Sequence, residues 1–210
     1  MRRPALVSAA VALAAWTLAP SDARAQEEAP FSQRGHTVIV LDNLGGFVHS
    51  ESSYPNVNNS SSGTNVWGIF PFSPIARFGV HEFIGDTGIS LGGALVYSDS
   101  SQSFQEQAGT TFGIAPRVGY AIPFNATAAL WLRAGLTYLT ESISGGGNQW
   151  QFSPAGEVFL VITPVSHFGI TLGPWIEWGV AGKECTGNNC QGQDFRQDFY
   201  GGTFGILADF

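Results

Sequence analysis

The sequence predicts an all-β fold, an eight-stranded antiparallel up-and-down transmembrane β-barrel, and three observations carry that expectation. Only 12% of the residues are charged, about half the usual share for a soluble domain, while 13% are aromatic. Beyond residue 25 no apolar run approaches the roughly 20 residues that a membrane-spanning helix needs. Instead, segments with one nearly uncharged face recur along the chain, joined by connections that alternate between short and long.

The N-terminus reads as a processing segment. Arg2 and Arg3 precede an apolar run over 5–18, and Ala23-Arg24-Ala25 places small residues where a signal peptidase cuts. Residues 1–25 are therefore expected to be a signal peptide, residues 26–34 a short periplasmic segment, and residues 35–210 the barrel. Three of the nine basic residues and one of the sixteen acidic ones fall in the signal, so residues 26–210 carry a net charge of −9. An acidic chain without a basic run argues against a nucleic-acid partner.

Eight strands are expected near 36–49, 64–83, 88–98, 111–121, 127–140, 150–163, 168–181 and 199–210. The connections 84–87 (IGDT), 122–126 (IPFNA) and 164–167 (PVSH) are short. Those at 50–63 (SESSYPNVNNSSSG), 99–109, 141–149 and 182–198 are long and polar. Short turns at one end and long loops at the other are the pattern of a barrel crossing a membrane, with the short turns and both termini on the periplasmic side.

The faces separate a membrane barrel from a soluble one. Leu130, Leu132, Ala134, Leu136 and Tyr138 oppose Trp131, Arg133, Gly135 and Thr137; Phe112, Ile114, Pro116, Val118 and Tyr120 oppose Gly113, Ala115, Arg117 and Gly119. Val158, Leu160 and Ile162 likewise oppose Glu157 and Phe159, while Ile170, Leu172, Ile176 and Trp178 oppose Thr171, Trp175 and Glu177. A soluble barrel would place the apolar face inside and charge outside. Here the charges are too few to solvate an exterior, so the continuous apolar face is assigned to lipid. Arg77, Arg117, Arg133, Glu157 and Glu177 then point inward, with His81 near the lower rim. Buried charges must be paired, so these residues are expected to form an ion-pair network that plugs the interior. Rings of charge also line pores, which makes a narrow or gated porin-like channel the alternative.

Catalysis is not expected. The stretch His49-Ser50-Glu51-Ser52 holds the residue types of a lipid-modifying enzyme, but on a strand Ser50 and Ser52 point away from His49. His36, His49, His81 and His167 have no metal-ligand spacing, so neither metal nor cofactor is expected. Cys185 and Cys190 bracket four residues of the last long connection and, in an oxidising compartment, are expected to form a local disulfide.

The chain finishes on TFGILADF, in which Phe204, Ile206, Ala208 and Phe210 share a face. Thr203, Gly205, Ala208 and Phe210 together resemble the C-terminal targeting signal of bacterial outer-membrane β-barrel proteins, and the strand count is similar to that of the small OmpA/OmpX-like class. That resemblance implies the outer membrane of a Gram-negative bacterium, lipid and lipopolysaccharide as surroundings, and barrel-assembly machinery reading the last strand. The function that follows is a structural or surface-interaction role, with polar extracellular loops whose ligand the sequence does not identify.

Overall fold

The computed structural model describes Phe31 and residues 37–56, 59–67, 77–100, 109–143, 147–185 and 192–210. The expected signal, and the 26–34 segment apart from Phe31, lie outside the described residues. Among the described residues there are eleven strands: β1 (Thr37–Tyr54), β2 (Asn59–Trp67), β3 (Arg77–Phe83), β4 (Ile89–Ser100), β5 (Gly109–Asn125), β6 (Ala128–Ile143), β7 (Gly147–Val165), β8 (Phe168–Glu177), β9 (Ala181–Cys185), β10 (Gln193–Asp194) and β11 (Arg196–Asp209). They form one antiparallel sheet. No helix among the described residues is long and apolar enough to cross a membrane.

Each connection along the chain is local. β3 pairs with β4, β4 with β5, β5 with β6, β6 with β7, and β7 with β8. β8 pairs with β11, β11 with β1, and β1 with β3. β2 lies along the far part of β1, β9 along the far part of β7, and β10 on β9. Thr37 and Phe210 exchange both backbone hydrogen bonds, at 3.0 and 3.2 Å, so the last residue is tied to the first strand.

The strand count differs from the eight expected, for two local reasons. The segment 64–83 appears as β2 and β3, on either side of residues 68–76, which lie outside the described residues. The segment 168–181 is interrupted at Trp178–Val180, where Gly179 N donates to Asp198 Oδ1 at 2.8 Å. Trp178 N and Val180 N still donate to Pro154 O and Phe152 O, so β9 continues the line of β8 along β7. The strands also run further into the polar connections than expected. β1 continues to Tyr54 and β2 begins at Asn59, leaving four residues between them, because Ser and Thr pair in a ladder as well as they solvate a loop.

The two faces of the sheet separate as the alternation requires. On β5, Ala115, Arg117 and Ala121 are buried, whereas Phe112, Ile114, Val118 and Tyr120 are exposed. Leu91, Leu95, Leu136, Val158, Ile162, Ile170 and Leu172 extend this exposed apolar surface round the sheet. Along β5 it runs from Phe112 to Ile122, ten residue steps or about 33 Å of strand. Tilted by about 40°, that length spans about 25 Å, the height of a lipid-facing band.

The inner face is filled by matching large residues to small ones. Trp131 and Arg133 project from β6, while β4 turns Ser90, Gly92 and Ala94 toward them. Gly119 is needed for this fit, since a Cβ there would lie 2.6 Å from the Trp131 indole nitrogen. Near the short-turn end, Phe31, Val38, Val40, Phe83, Trp131, Val161 and Leu207 form an apolar cluster. Phe31, from the segment preceding β1, is only 4% exposed and meets Phe83 and Trp131 edge-on at 5.2 and 5.6 Å.

Candidate functional site

Immediately beyond the apolar cluster, the inner face carries three guanidinium groups and three carboxylates. Strand alternation places Arg77 on β3, Arg117 on β5, Arg133 on β6, Glu157 on β7 and Glu177 on β8 on this face, and all five are buried. Arg77 Nη1 lies 3.3 Å from Glu157 Oε1, and its Nη2 lies 2.8 Å from Glu177 Oε1. Arg117 Nε and Nη2 reach the same two oxygens at 3.1 Å each. Thr137 donates its hydroxyl to Glu177 Oε1 at 2.6 Å.

Arg133 brings in the sixth charge, Asp42. Its Nη2 donates to Asp42 Oδ2 at 2.8 Å, and its Nε lies 2.7 Å from Glu157 Oε2 without being aligned for a hydrogen bond. Its guanidinium carbon sits 4.6 Å from the ring centroid of Trp131 and 4.5 Å from that of Phe159, so two aromatic rings hold it. Three positive and three negative charges balance within a region largely shielded from water. Isolated charges of this kind would cost several kcal/mol each, and mutual pairing is what makes their burial tolerable.

Asp42 is absent from the sequence-based set. Its signal was present as the third member of the alternation Val38, Val40, Asp42, but a β-bulge follows at Asn43, whose φ is 60°, and shifts the register before Gly45. That shift hides the face of the strand from a simple count. His81 shares the inner face and is buried edge-on to Trp131 at 4.8 Å, beside the arginines rather than within their ion pairs.

The pairing partners are far apart in the sheet. β1 and β6 are separated by β3, β4 and β5, and β3 and β7 by β4, β5 and β6. A flat sheet would hold strands four places apart about 19 Å from each other. Arg133 and Asp42 meet at 2.8 Å because the sheet curls around them.

Above the charges, toward the long connections, lies a cavity of about 180 Å³ lined by Val96, Thr111, Leu139, Glu141, Gln149, Gln151, Glu177, Gln197 and Phe199. Gln151 is fully engaged: its amide nitrogen donates to Ser153 Oγ and Gln197 O, and its oxygen accepts from Gln197 N. At the rim Tyr54 packs on Phe195 and donates to Glu184 Oε2 at 2.8 Å. Burial, then the bond and charge of Glu184, push the Tyr54 phenol up to about 12. Burial and the nearby Glu184 carboxylate raise Glu141 above the ordinary range for a glutamate.

The remaining expected residues are dispersed. His49 and Glu51 lie on the outer face, His49 Nδ1 being 2.7 Å from Thr64 Oγ1, while Ser50 and Ser52 turn away. Neither serine is therefore placed to pair with the imidazole. Among the described residues no group of three His, Cys, Asp or Glu is placed to hold a metal ion. Cys185 ends β9 and is not a free thiol; Cys190, its expected partner, lies outside the described residues. On β11, Thr203 and Gly205 face inward, while Ala208 and, just past the strand's end, Phe210 face outward.

No protein-family model matches the chain, and no curated protein matches it in sequence. Among solved structures it is similar to Neisserial surface protein A (NspA), with a TM-score of 0.53 and 11% identity over 84% of this chain and 100% of that one. OprG from Pseudomonas aeruginosa gives 0.47 and 10% identity over 87% and 99%, and Ail of Yersinia pestis gives 0.44 and 12% over 83% and 99%. At these identities the likeness to NspA is one of fold: an antiparallel all-β sheet of the kind found in small bacterial outer-membrane barrels.

Proposed function

We propose that the chain is an eight-stave barrel of the outer membrane of a Gram-negative bacterium, with a structural or surface-interaction role and an interior sealed by its own charges. Closure is supported by the order of pairings. Starting at β1 and passing through β3, β4, β5, β6, β7, β8 and β11, each strand bonds to the next and the last bonds to β1. β2 and β9 then prolong the staves of β3 and β8. In lipid such a ring satisfies every backbone group without a free edge. The exposed apolar band supports a lipid surround, and the fold shared with Neisserial surface protein A agrees with it.

In this reading residues 1–25 are a cleaved signal, both termini are periplasmic, the long connections are extracellular, and barrel-assembly machinery engages Thr203, Gly205, Ala208 and Phe210. Cys185 and Cys190 bridge to stiffen the last loop. The observation that carries the sealed interior is the neutral cluster of Arg77, Arg117 and Arg133 with Asp42, Glu157 and Glu177, in which each of the six charges is paired with an opposite one. Refolded protein in a planar bilayer is expected to show no steady single-channel conductance. A stable, voltage-independent open level would replace this reading with the porin-like one. Extraction by carbonate, or an unchanged gel position before and after boiling, would remove the membrane barrel altogether.

A further inference from the structure

The hairpin of β1 and β2 stands at the long-connection end of the sheet. β2 pairs with β1 along its whole length, from Trp67 opposite Gly46 to Asn59 opposite Tyr54. Among the described residues no strand pairs with its other edge. β4 does not cover it: β4 pairs with β3 only as far as Val96, and from Tyr97 to Ser100 it pairs with β5 alone. In an antiparallel strand every second residue turns both its N–H and its C=O to the same edge, so about half the residues of β2 offer their backbone groups to the open side.

The faces of β2 are as open as its edge. Residues 59–66 are all exposed, Val66 at 81%. A Cβ at Gly63 would meet nothing within 4 Å, so nothing is packed on that face. Free edges are ordinarily shielded by a charge, a proline, a bulge or a very short strand. β2, with the sequence NSSSGTNVW, has no charged residue and no proline, keeps an unbroken register with β1 and is nine residues long.

We propose that β2 is a docking edge for an extended, basic polypeptide segment, which adds to the sheet as a further strand. A row of backbone donors and acceptors at strand spacing is matched by another extended backbone. The preference for basic side chains follows from the surroundings. Residues 26–210 carry a net charge of −9, and Glu51 is the one Asp, Glu, Lys or Arg in residues 46–67. Glu51 is exposed on β1 directly opposite Ser62, which is too small to screen it from a lysine or arginine on the added strand. A second copy of the chain is disfavoured as the occupant, since copies in one membrane run their β2 strands in the same sense, whereas a two-fold pairing of edges is antiparallel. The inference deepens the surface-interaction reading and rests on it for the side of the membrane on which the partner is met; the edge itself belongs to the folded chain and is testable in detergent.

The experiment uses the folded protein in detergent and the end-blocked peptide (Lys-Val)4, read by fluorescence anisotropy of the labelled peptide and by hydrogen exchange of the β2 amides. Saturable binding is expected, with exchange slowed about tenfold at every second amide of β2. The same peptide N-methylated at every residue keeps its charge but loses its donors, and should bind at least tenfold more weakly. (Glu-Val)4 should bind at least tenfold more weakly as well, and Glu51→Gln should weaken (Lys-Val)4 about threefold, as for an exposed charge pair. Ser61 and Ser62 turn their N–H groups to opposite edges, so one of Ser61→Pro and Ser62→Pro should abolish binding while leaving exchange of the β1 amides unchanged. Equal binding of the N-methylated peptide, equal binding of (Glu-Val)4, or no binding to a sample with an intact β-type circular dichroism spectrum would overturn the proposal. So would a peptide-free dimer whose β2 amides are already protected, which would assign the edge to a second copy. Carbonate extraction tests the membrane reading separately, so the two can fail independently.

Discussion

Replacing Arg133 by methionine keeps most of its volume and aromatic contact while removing its charge, so the cost reports on electrostatics more than on a cavity. The substitution strips Asp42 Oδ2 of its 2.8 Å donor and takes one of three cations from Glu157, leaving two guanidiniums against three carboxylates. Breaking a buried ion pair on one side costs about 3–5 kcal/mol. With a urea slope of roughly 2 kcal/mol per molar, the unfolding midpoint should fall by about 1.5–2.5 M. The informative variant is the double one. Arg133→Met with Asp42→Asn leaves Arg77 and Arg117 facing Glu157 and Glu177, again neutral, so its cost should be less than the sum of the two single costs by about 1–3 kcal/mol. The assay is equilibrium unfolding in detergent followed by tryptophan fluorescence, with Lys183→Met on exposed β9 as a control expected within about 0.5 kcal/mol of wild type. Strict additivity of the two single effects, or a midpoint for Arg133→Met equal to that of the control, would refute the claim that these charges are buried and mutually dependent.

Phe31→Ala should lower the midpoint as a core truncation does, by about 3 kcal/mol, because Phe31 packs against Phe83 and Trp131 although it precedes the first strand; an unchanged midpoint would mean the segment is not docked in solution. Glu141 faces Glu184, Glu177 and Gln149, and burial raises its folded pKa, so the stability it contributes is present at low pH and lost as pH rises through the folded value. Glu141→Gln should therefore stabilise the protein in mildly alkaline buffer relative to wild type and make little difference in acid, as read by thermal unfolding at both pH values. Reduction of the proposed Cys185–Cys190 bridge should expose the 182–196 region to protease without changing the β-type circular dichroism, since it closes only a short ring. Deletion of Phe210 should shift the protein from the outer membrane to the periplasm in fractionated cells at low expression; localisation like that of the full-length chain would reduce TFGILADF to an ordinary final strand.

Period-two alternation, low charge and the spacing of short turns were enough to anticipate an antiparallel sheet and the face on which Arg77, Arg117, Arg133, Glu157 and Glu177 lie. That information is local: once a strand forms, successive side chains must point to opposite faces, whatever the rest of the chain does. The positions of β5, β6 and β7 were legible for the same reason, their patterns being long and uninterrupted. Asp42 was not, because the bulge at Asn43 breaks the alternation where the register would have been counted. The extension of β1 and β2 through Ser50 to Ser62 was also hidden, since polar β-formers look alike in a ladder and in a loop. The partners of each charge belong to the tertiary structure alone. Arg133 is directly opposite Glu157 on the neighbouring strand, yet it also bonds to Asp42, 91 residues away and four strands distant, and only the curl of the sheet brings those atoms together. The docking of Phe31 and the enclosure of the cavity at Glu141 and Phe199 have the same origin. Alternation determines which way a side chain points, but what it meets there depends on how far the sheet has turned before the chain returns to its first strand.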